Sequence, residues 1–238
     1  VAKAFHRGEP TFATVLDQLD ADEVIVVPVM TSDGYYCDVV RNKSANPNHH
    51  KNPGIISPCG EWLYSIKELP RGYVLSTWYG NRVGSVMFDG PINIPAIHQK
   101  QKYDGKWHEA PWMSHTPAEI ISMRGGTKRA KGHTVIAGLG LGYQLIEVSK
   151  RKSVKKLTLV ERSQGLVDWI LPRVKEHLAM DVDVIVGDAY QELPKLKADV
   201  ALVDIFDSYG NNSYEQERLR STCFGIEYIW CWGAAVIR

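Results

Sequence analysis

Four short apolar runs, HTVIAGL (133–139), KLTLVE (156–161), DVIVGD (183–188) and DVALVDI (199–205), alternate with helix-patterned stretches in the second half of this chain. Runs this uniformly apolar cannot present a face to water, so each must be covered on both sides. Strands of that kind, separated by helices, assemble into a parallel sheet with crossover helices packed on both faces. The spacing predicts helices over 143–151, 163–178 with an interruption at Pro172, and 189–197. A last helix and a fifth strand within IWCWGAAVI (229–237) complete the series.

The preceding region reads differently. EWLYSIKEL (61–69), GYVLSTWYG (72–80) and RVGSVMFDG (82–90) are rich in aromatic and β-branched residues and are separated by Pro-Arg-Gly and Gly-Asn turn signals. They predict a small antiparallel sheet or meander. In HTPAEIISM, Thr116 is placed as N-cap, Pro117 as the first helical residue and Glu119 as the capping-box acid, which predicts a helix from Pro117 to Arg124. Further upstream, 11–20 reads as an amphipathic helix, 23–29 as a buried strand in which Pro28 marks an edge or an end, and 42–60 as a polar loop or linker. The chain thus divides into an α/β appendage and linker (1–60), a small antiparallel β region (61–95) and a larger α/β domain (96–238).

Composition narrows the partners. With 28 Lys and Arg against 27 Asp and Glu, no overall field draws the protein to nucleic acid or to an acidic membrane, so a small-molecule substrate is expected. Homo-oligomer formation stays open. The 4 cysteines, Cys37, Cys59, Cys223 and Cys231, lack CxxC spacing and read as reduced, buried thiols of a cytoplasmic protein. No run approaches the ~18 apolar residues of a membrane helix.

Directly after the first of the four strands come Gly138, Gly140 and Gly142. A strand, a glycine turn and a helix place backbone amides at the carboxyl edge of a parallel sheet, where nucleotides bind. The dinucleotide pattern G-x-G-x-x-G is not completed, because Tyr143 or Leu145 takes the third glycine's place. That favours a turn facing an adenosine and its sulfonium. Carboxylates then end the successive strands: Glu161 the second, Asp188 the third, Asp204 and Asp207 the fourth. Glu161 is placed to accept from both ribose hydroxyls and Asp188 to meet an adenine edge.

The arrangement resembles the class I S-adenosylmethionine-dependent methyltransferase superfamily, and within it the spermidine synthases, over residues ~60–238. Ile136 stands two before the first glycine, as in the spermidine synthases. Asp89-Gly90 resembles their Asp-Gly turn, with Asn93 in the place of a glutamine; Trp107-His108-Glu109 resembles Tyr-His-Glu, and Asp204-Ile205-Phe206-Asp207 resembles Asp-Ser-Ser-Asp. The resemblance implies a Rossmann-like parallel sheet with helices on both faces, preceded by a small β-rich N-terminal region. It also implies a cofactor, S-adenosylmethionine or its decarboxylated form, held by Gly138, Gly140, Gly142, Glu161, Asp188 and Asn93. His108, Asp204 and Asp207 would face the acceptor, Asp204 as base.

Two positions depart from the spermidine synthases: Leu141 replaces the aspartate that binds a substrate amine, and Ser208 a proline. The chain also ends directly after the fifth strand. Methyl transfer to an unidentified acceptor is therefore the leading expectation, with aminopropyl transfer and a non-catalytic assembly subunit as alternatives. The loop DSYGNNS (207–213) reads as a lid. Separately, residues 4–40 are similar to a segment of the sirohydrochlorin chelatases, with Tyr36 where those proteins carry a metal-binding histidine. No metal site is expected, His49 and His50 reading as solvated.

Overall fold

The computed structural model describes residues 54–79, 82–207, 209–210 and 212–234. The N-terminal helix and strand, the chelatase-like segment, Cys37 and the His49-His50 pair lie outside them.

The larger layer is a five-stranded parallel sheet of β7 (Gly132–Ala137), β8 (Val154–Glu161), β9 (Asp183–Val186), β10 (Ala198–Val203) and β11 (Ile226–Cys231), in the order β11-β10-β7-β8-β9. The helices are α1 (Pro117–Thr127), α2 (Tyr143–Ser149), α3 (Gln164–Lys175), α4 (Ala189–Glu192) and α5 (Ser213–Arg220). Side chains alternate across each strand. On β7 and β10, Ile136, Val200 and Leu202 enter one core with Met123 of α1, Leu145 of α2 and Leu166 of α3. Their neighbours Val135, Ala137, Ala201 and Val203 enter a second core with Ala189 of α4 and Leu219 of α5. Helices therefore cover both faces of β7 and β10, as the apolar runs required, whereas the edge strand β9 is only half-buried. Among the described residues, no helix is long and apolar enough to cross a membrane.

Two elements differ from their sequence reading. α3 runs through Pro172, because Ile170, Leu171 and Val174 are buried and hold the helix to the core on either side of the missing N–H. α1 continues past Arg124 through Gly125 and Gly126; a β-carbon at Gly126 would collide with the indole of Trp230 from β11, so the glycine lets helix and strand approach. Trp230 is accordingly a core residue.

The antiparallel region is not a simple meander. β2 (Trp62–Leu69) pairs with β5 (Ile92–Gln99) rather than with its neighbour in sequence, in a sheet ordered β1-β2-β5-β6 with β1 at Ile55–Ile56 and β6 at Met113–Ser114. β3 (Val74–Tyr79) and β4 (Arg82–Met87) form a separate hairpin. The sheet thus extends to Ser114, across the boundary expected near residue 95. Two indoles tie the layers together: Trp62 Nε1 donates to Ser163 Oγ at 3.0 Å, and Trp232 Nε1 to Ser122 Oγ at 2.8 Å. Cys223 and Cys231 are buried as expected, whereas Cys59 is exposed.

Candidate functional site

A cavity of about 1440 Å³ opens at the carboxyl ends of the parallel strands and is roofed by the antiparallel sheet. Gly138, Gly140, Glu161, Asp188, Asp204 and Asp207 all stand in its wall. The alternating pattern explains the convergence: parallel strands present all their carboxyl ends on one side, so residues far apart in sequence meet there.

The glycine turn owes its composition first to the protein itself. Gly138 (φ 101°), Gly140 (φ 51°) and Gly142 (φ 83°) all have left-handed backbone, which side chains rarely adopt. An added β-carbon would collide with the Asp204 carbonyl at Gly138, with the Met113 thioether at Gly140 and with Val174 at Gly142. Gly142 is not in the cavity wall; it caps α2 and lies against Val174 of α3. Leu141 points into the core while its N–H donates to Met113 Sδ at 2.8 Å.

Glu161 is 9% exposed. Its Oε2 accepts from Leu139 N and its Oε1 from Ser163 N, both at 2.8 Å. One oxygen thus braces the glycine turn and the other the start of α3. Each retains a lone pair, since an ionised carboxylate offers about four acceptor sites. Asp188 caps α4, its Oδ1 accepting from Tyr190 N at 2.8 Å. Beyond it Tyr190 adds an aromatic wall, its hydroxyl donating to Glu215 at 2.6 Å and its face 4.3 Å from the Arg218 guanidinium.

The electrostatic centre is a pair of carboxyl groups, of which the sequence reading identified one. Burial pushes Asp204 from its ordinary 3.8 up to about 7. Glu119, from α1, stands in the same wall, and burial pushes it up to about 8, against the Ser114 hydroxyl bond that lowers it and with the Asp204 charge that raises it further. Thr116 caps α1 as expected, Oγ1 accepting from Glu119 N at 3.2 Å. The Glu119 side chain does not close the capping box. Its Oε2 reaches past the cap to accept from Ser114 N at 2.9 Å and Ser114 Oγ at 2.6 Å. In sequence the capping box accounted for this glutamate fully, so nothing local separated it from a helix start.

Besides Gly142, two expected residues are not brought to the cavity. Asn93 is exposed on β5 and pairs with Glu68, whereas its neighbours Ile94, Ala96 and His98 line the cavity with Ser65 and Lys67 of β2. The strand period of 2 puts Asn93 on the opposite face. His108 is exposed and outside the wall, at the base of a loop closed by the bridge between Lys100 and Trp107. The histidine that does line the cavity is His98, whose Nδ1 donates to the His108 carbonyl at 2.9 Å while Nε2 meets Ser65 Oγ at 3.0 Å. The loop after Asp207 is tied down at its described residues: the ring of Tyr209 lies edge-on to Trp232 at 4.9 Å, and Asn212 Nδ2 donates to the Trp232 carbonyl at 2.8 Å.

No protein-family model and no curated protein matches the chain. Solved structures do match in part. Precorrin 8w decarboxylase from Methanobacterium thermoautotrophicum is 22% identical, with a TM-score of 0.37, over 49% of this chain and 63% of that one. Precorrin-6y C5,15-methyltransferase from Geobacter metallireducens is 15% identical, with a TM-score of 0.37, over 49% and 63% respectively. Spermidine synthase from Thermotoga maritima is 14% identical, with a TM-score of 0.36, over 66% of this chain and 60% of that one. The chain thus spans less than two thirds of the length of each of these structures.

Proposed function

We propose that this chain is an S-adenosylmethionine-dependent transferase that moves a methyl group to a small-molecule acceptor. The observation that carries the reading is a single cavity in which a glycine turn, two strand-end carboxylates with free lone pairs and a proton-accepting carboxyl group meet at the carboxyl edge of a parallel sheet. The cofactor, when bound, supplies an electrophilic carbon on a sulfonium. Glu161 accepts from ribose hydroxyls through the lone pairs its backbone bonds leave, and Asp188 meets the adenine beside Tyr190.

Asp204 takes the proton that the acceptor must lose. A carboxyl group poised near 7 is ionised in a useful fraction at neutral pH and yet basic enough to hold that proton. Gly138 fixes its position, since only a residue without a side chain lets the turn lie against the Asp204 carbonyl. Aminopropyl transfer is the second reading: the acidic pair Asp204 and Glu119 suits a cationic amine acceptor. It ranks below methyl transfer because Leu141 buries its side chain in the core and offers no charge to an ammonium group.

Isothermal titration with S-adenosylmethionine, its decarboxylated form, S-adenosylhomocysteine and methylthioadenosine tests the reading. Tighter binding of the carboxylated pair is the expected result. Preference for the decarboxylated form and methylthioadenosine would transfer support to aminopropyl transfer, and binding of none of the four would overturn both.

A further inference from the structure

The cavity wall beside the glycine turn holds a polar side chain that the transfer chemistry does not use. Gln144, the second residue of α2, is 6% exposed and lines the cavity. Neither its Nε2 nor its Oε1 has a hydrogen-bond partner among the described residues. Buried amides are nearly always bonded, because leaving both groups dry forfeits their hydration with nothing in return. Helical position does not explain the residue either. Val148, one turn on, is fully buried, so 144 belongs to a face where leucine would pack.

The surroundings indicate what would satisfy it. The preceding residue, Tyr143, packs edge-on against His115 with ring centroids 5.8 Å apart, which seats the start of α2 against the segment leading into α1. Glu119, in the first turn of α1, stands in the same wall, and because both Ser114 donors converge on Oε2, Oε1 remains to meet a ligand. A primary amide needs an acceptor for its N–H groups and a donor for its oxygen. A ligand terminus bearing a carboxylate and an ammonium on one carbon supplies both.

We propose that Gln144 is the specificity-determining residue of the site, its amide N–H donating to the ligand's carboxylate and its Oε1 accepting from the ligand's ammonium, so that it sets the preference for carboxylated over decarboxylated nucleosides. The proposal rests on the nucleoside reading above and concerns one residue within it.

Titration calorimetry on wild type and Gln144→Leu with S-adenosylhomocysteine, decarboxylated S-adenosylmethionine and methylthioadenosine, together with thermal melting without ligand, decides it. The expected result is a loss of about tenfold or more for S-adenosylhomocysteine, which corresponds to about 1.4 kcal/mol. Methylthioadenosine, which has no amino-acid end, should bind wild type and variant alike. The melting temperature should hold or rise, because an unbonded amide has been replaced by an apolar isostere. Equal losses on S-adenosylhomocysteine and methylthioadenosine, no loss on either, or a wild-type preference for the decarboxylated ligand would overturn the assignment and leave nucleoside binding standing. A melting temperature lowered in both Gln144→Leu and Gln144→Met would show that the amide is bonded within the protein, which also overturns it. Wild type that binds none of the three ligands would overturn the nucleoside reading and this proposal together.

Discussion

Asp204 and Glu119 are carboxyl groups whose protonated forms the fold favours, and this has opposite consequences for chemistry and for stability. Folded, they hold their protons up to about 7 and about 8, from ordinary values of 3.8 and 4.5. Between those limits the folded state binds more protons than the unfolded chain, so stability is greatest at the acid end and is lost as pH rises through the window. Glu119→Gln, which imitates the protonated acid, should melt several degrees above wild type at pH 8 and lose most of that advantage at pH 5 (scanning calorimetry at both pH values). If the advantage is equal at both, Glu119 titrates normally. Under the proposed mechanism, in which ionised Asp204 is the base, activity should instead fall as pH drops below about 7. Asp204→Asn should lower kcat by about 10²–10⁴-fold while leaving S-adenosylhomocysteine affinity nearly unchanged. Glu161 is a less clean target than its strand-end position suggested. Its two backbone bonds brace the turn and α3, so Glu161→Ala should weaken cofactor binding by about 1–3 kcal/mol and also lower the ligand-free melting temperature. A loss of affinity with no change in melting would show that those braces contribute little.

Among the elements, α1 shows how a glycine can serve packing rather than a turn. Alanine is a better helix former than glycine by about 1 kcal/mol, so both Gly125→Ala and Gly126→Ala should stabilise α1 on propensity alone. Their surroundings separate them. A β-carbon at Gly125 would sit 3.6 Å from Trp230 Nε1, an ordinary contact, whereas at Gly126 it would overlap the indole. Gly125→Ala should therefore be neutral or stabilising, and Gly126→Ala destabilising by about 1–3 kcal/mol, by urea denaturation. Equal effects would mean that Trp230 relaxes freely, and the closeness of α1 to β11 would need another cause. The glycine turn is stricter because its neighbour at Gly138 is backbone. There the strand that carries Asp204 and the turn that faces the cavity are positioned by one contact.

Across the whole molecule, the antiparallel sheet is held over the cavity by Trp62, Tyr64, Ile97 and Met113, which share a core with the parallel strands, and by the Trp62 indole bond to the start of α3, while the Trp232 indole bond ties α1 to the segment after β11. Ser163 serves twice, accepting from Trp62 Nε1 at 3.0 Å and capping α3 by accepting from Leu166 N at 3.1 Å. Ser163→Ala should cost about 1–3 kcal/mol of stability, more than the ~1 kcal/mol typical of a lost cap alone; a smaller loss would show that Trp62 finds another partner. The parallel sheet, its covering helices and the carboxyl-edge placement of Glu161, Asp188, Asp204 and Asp207 were legible along the chain, because hydrophobic period and strand order are properties of neighbouring residues. Long-range packing instead set which side of β5 faces the cavity, which removed Asn93 and brought in His98, and paired β2 with β5 across 92–99 rather than with β3. It also turned Glu119 from a helix cap into half of an acid pair and set Gln144, a polar residue on an apolar helix face, into the cavity wall. Those outcomes depend on long-range register and on which groups lose water together, and no local run of residues encodes either.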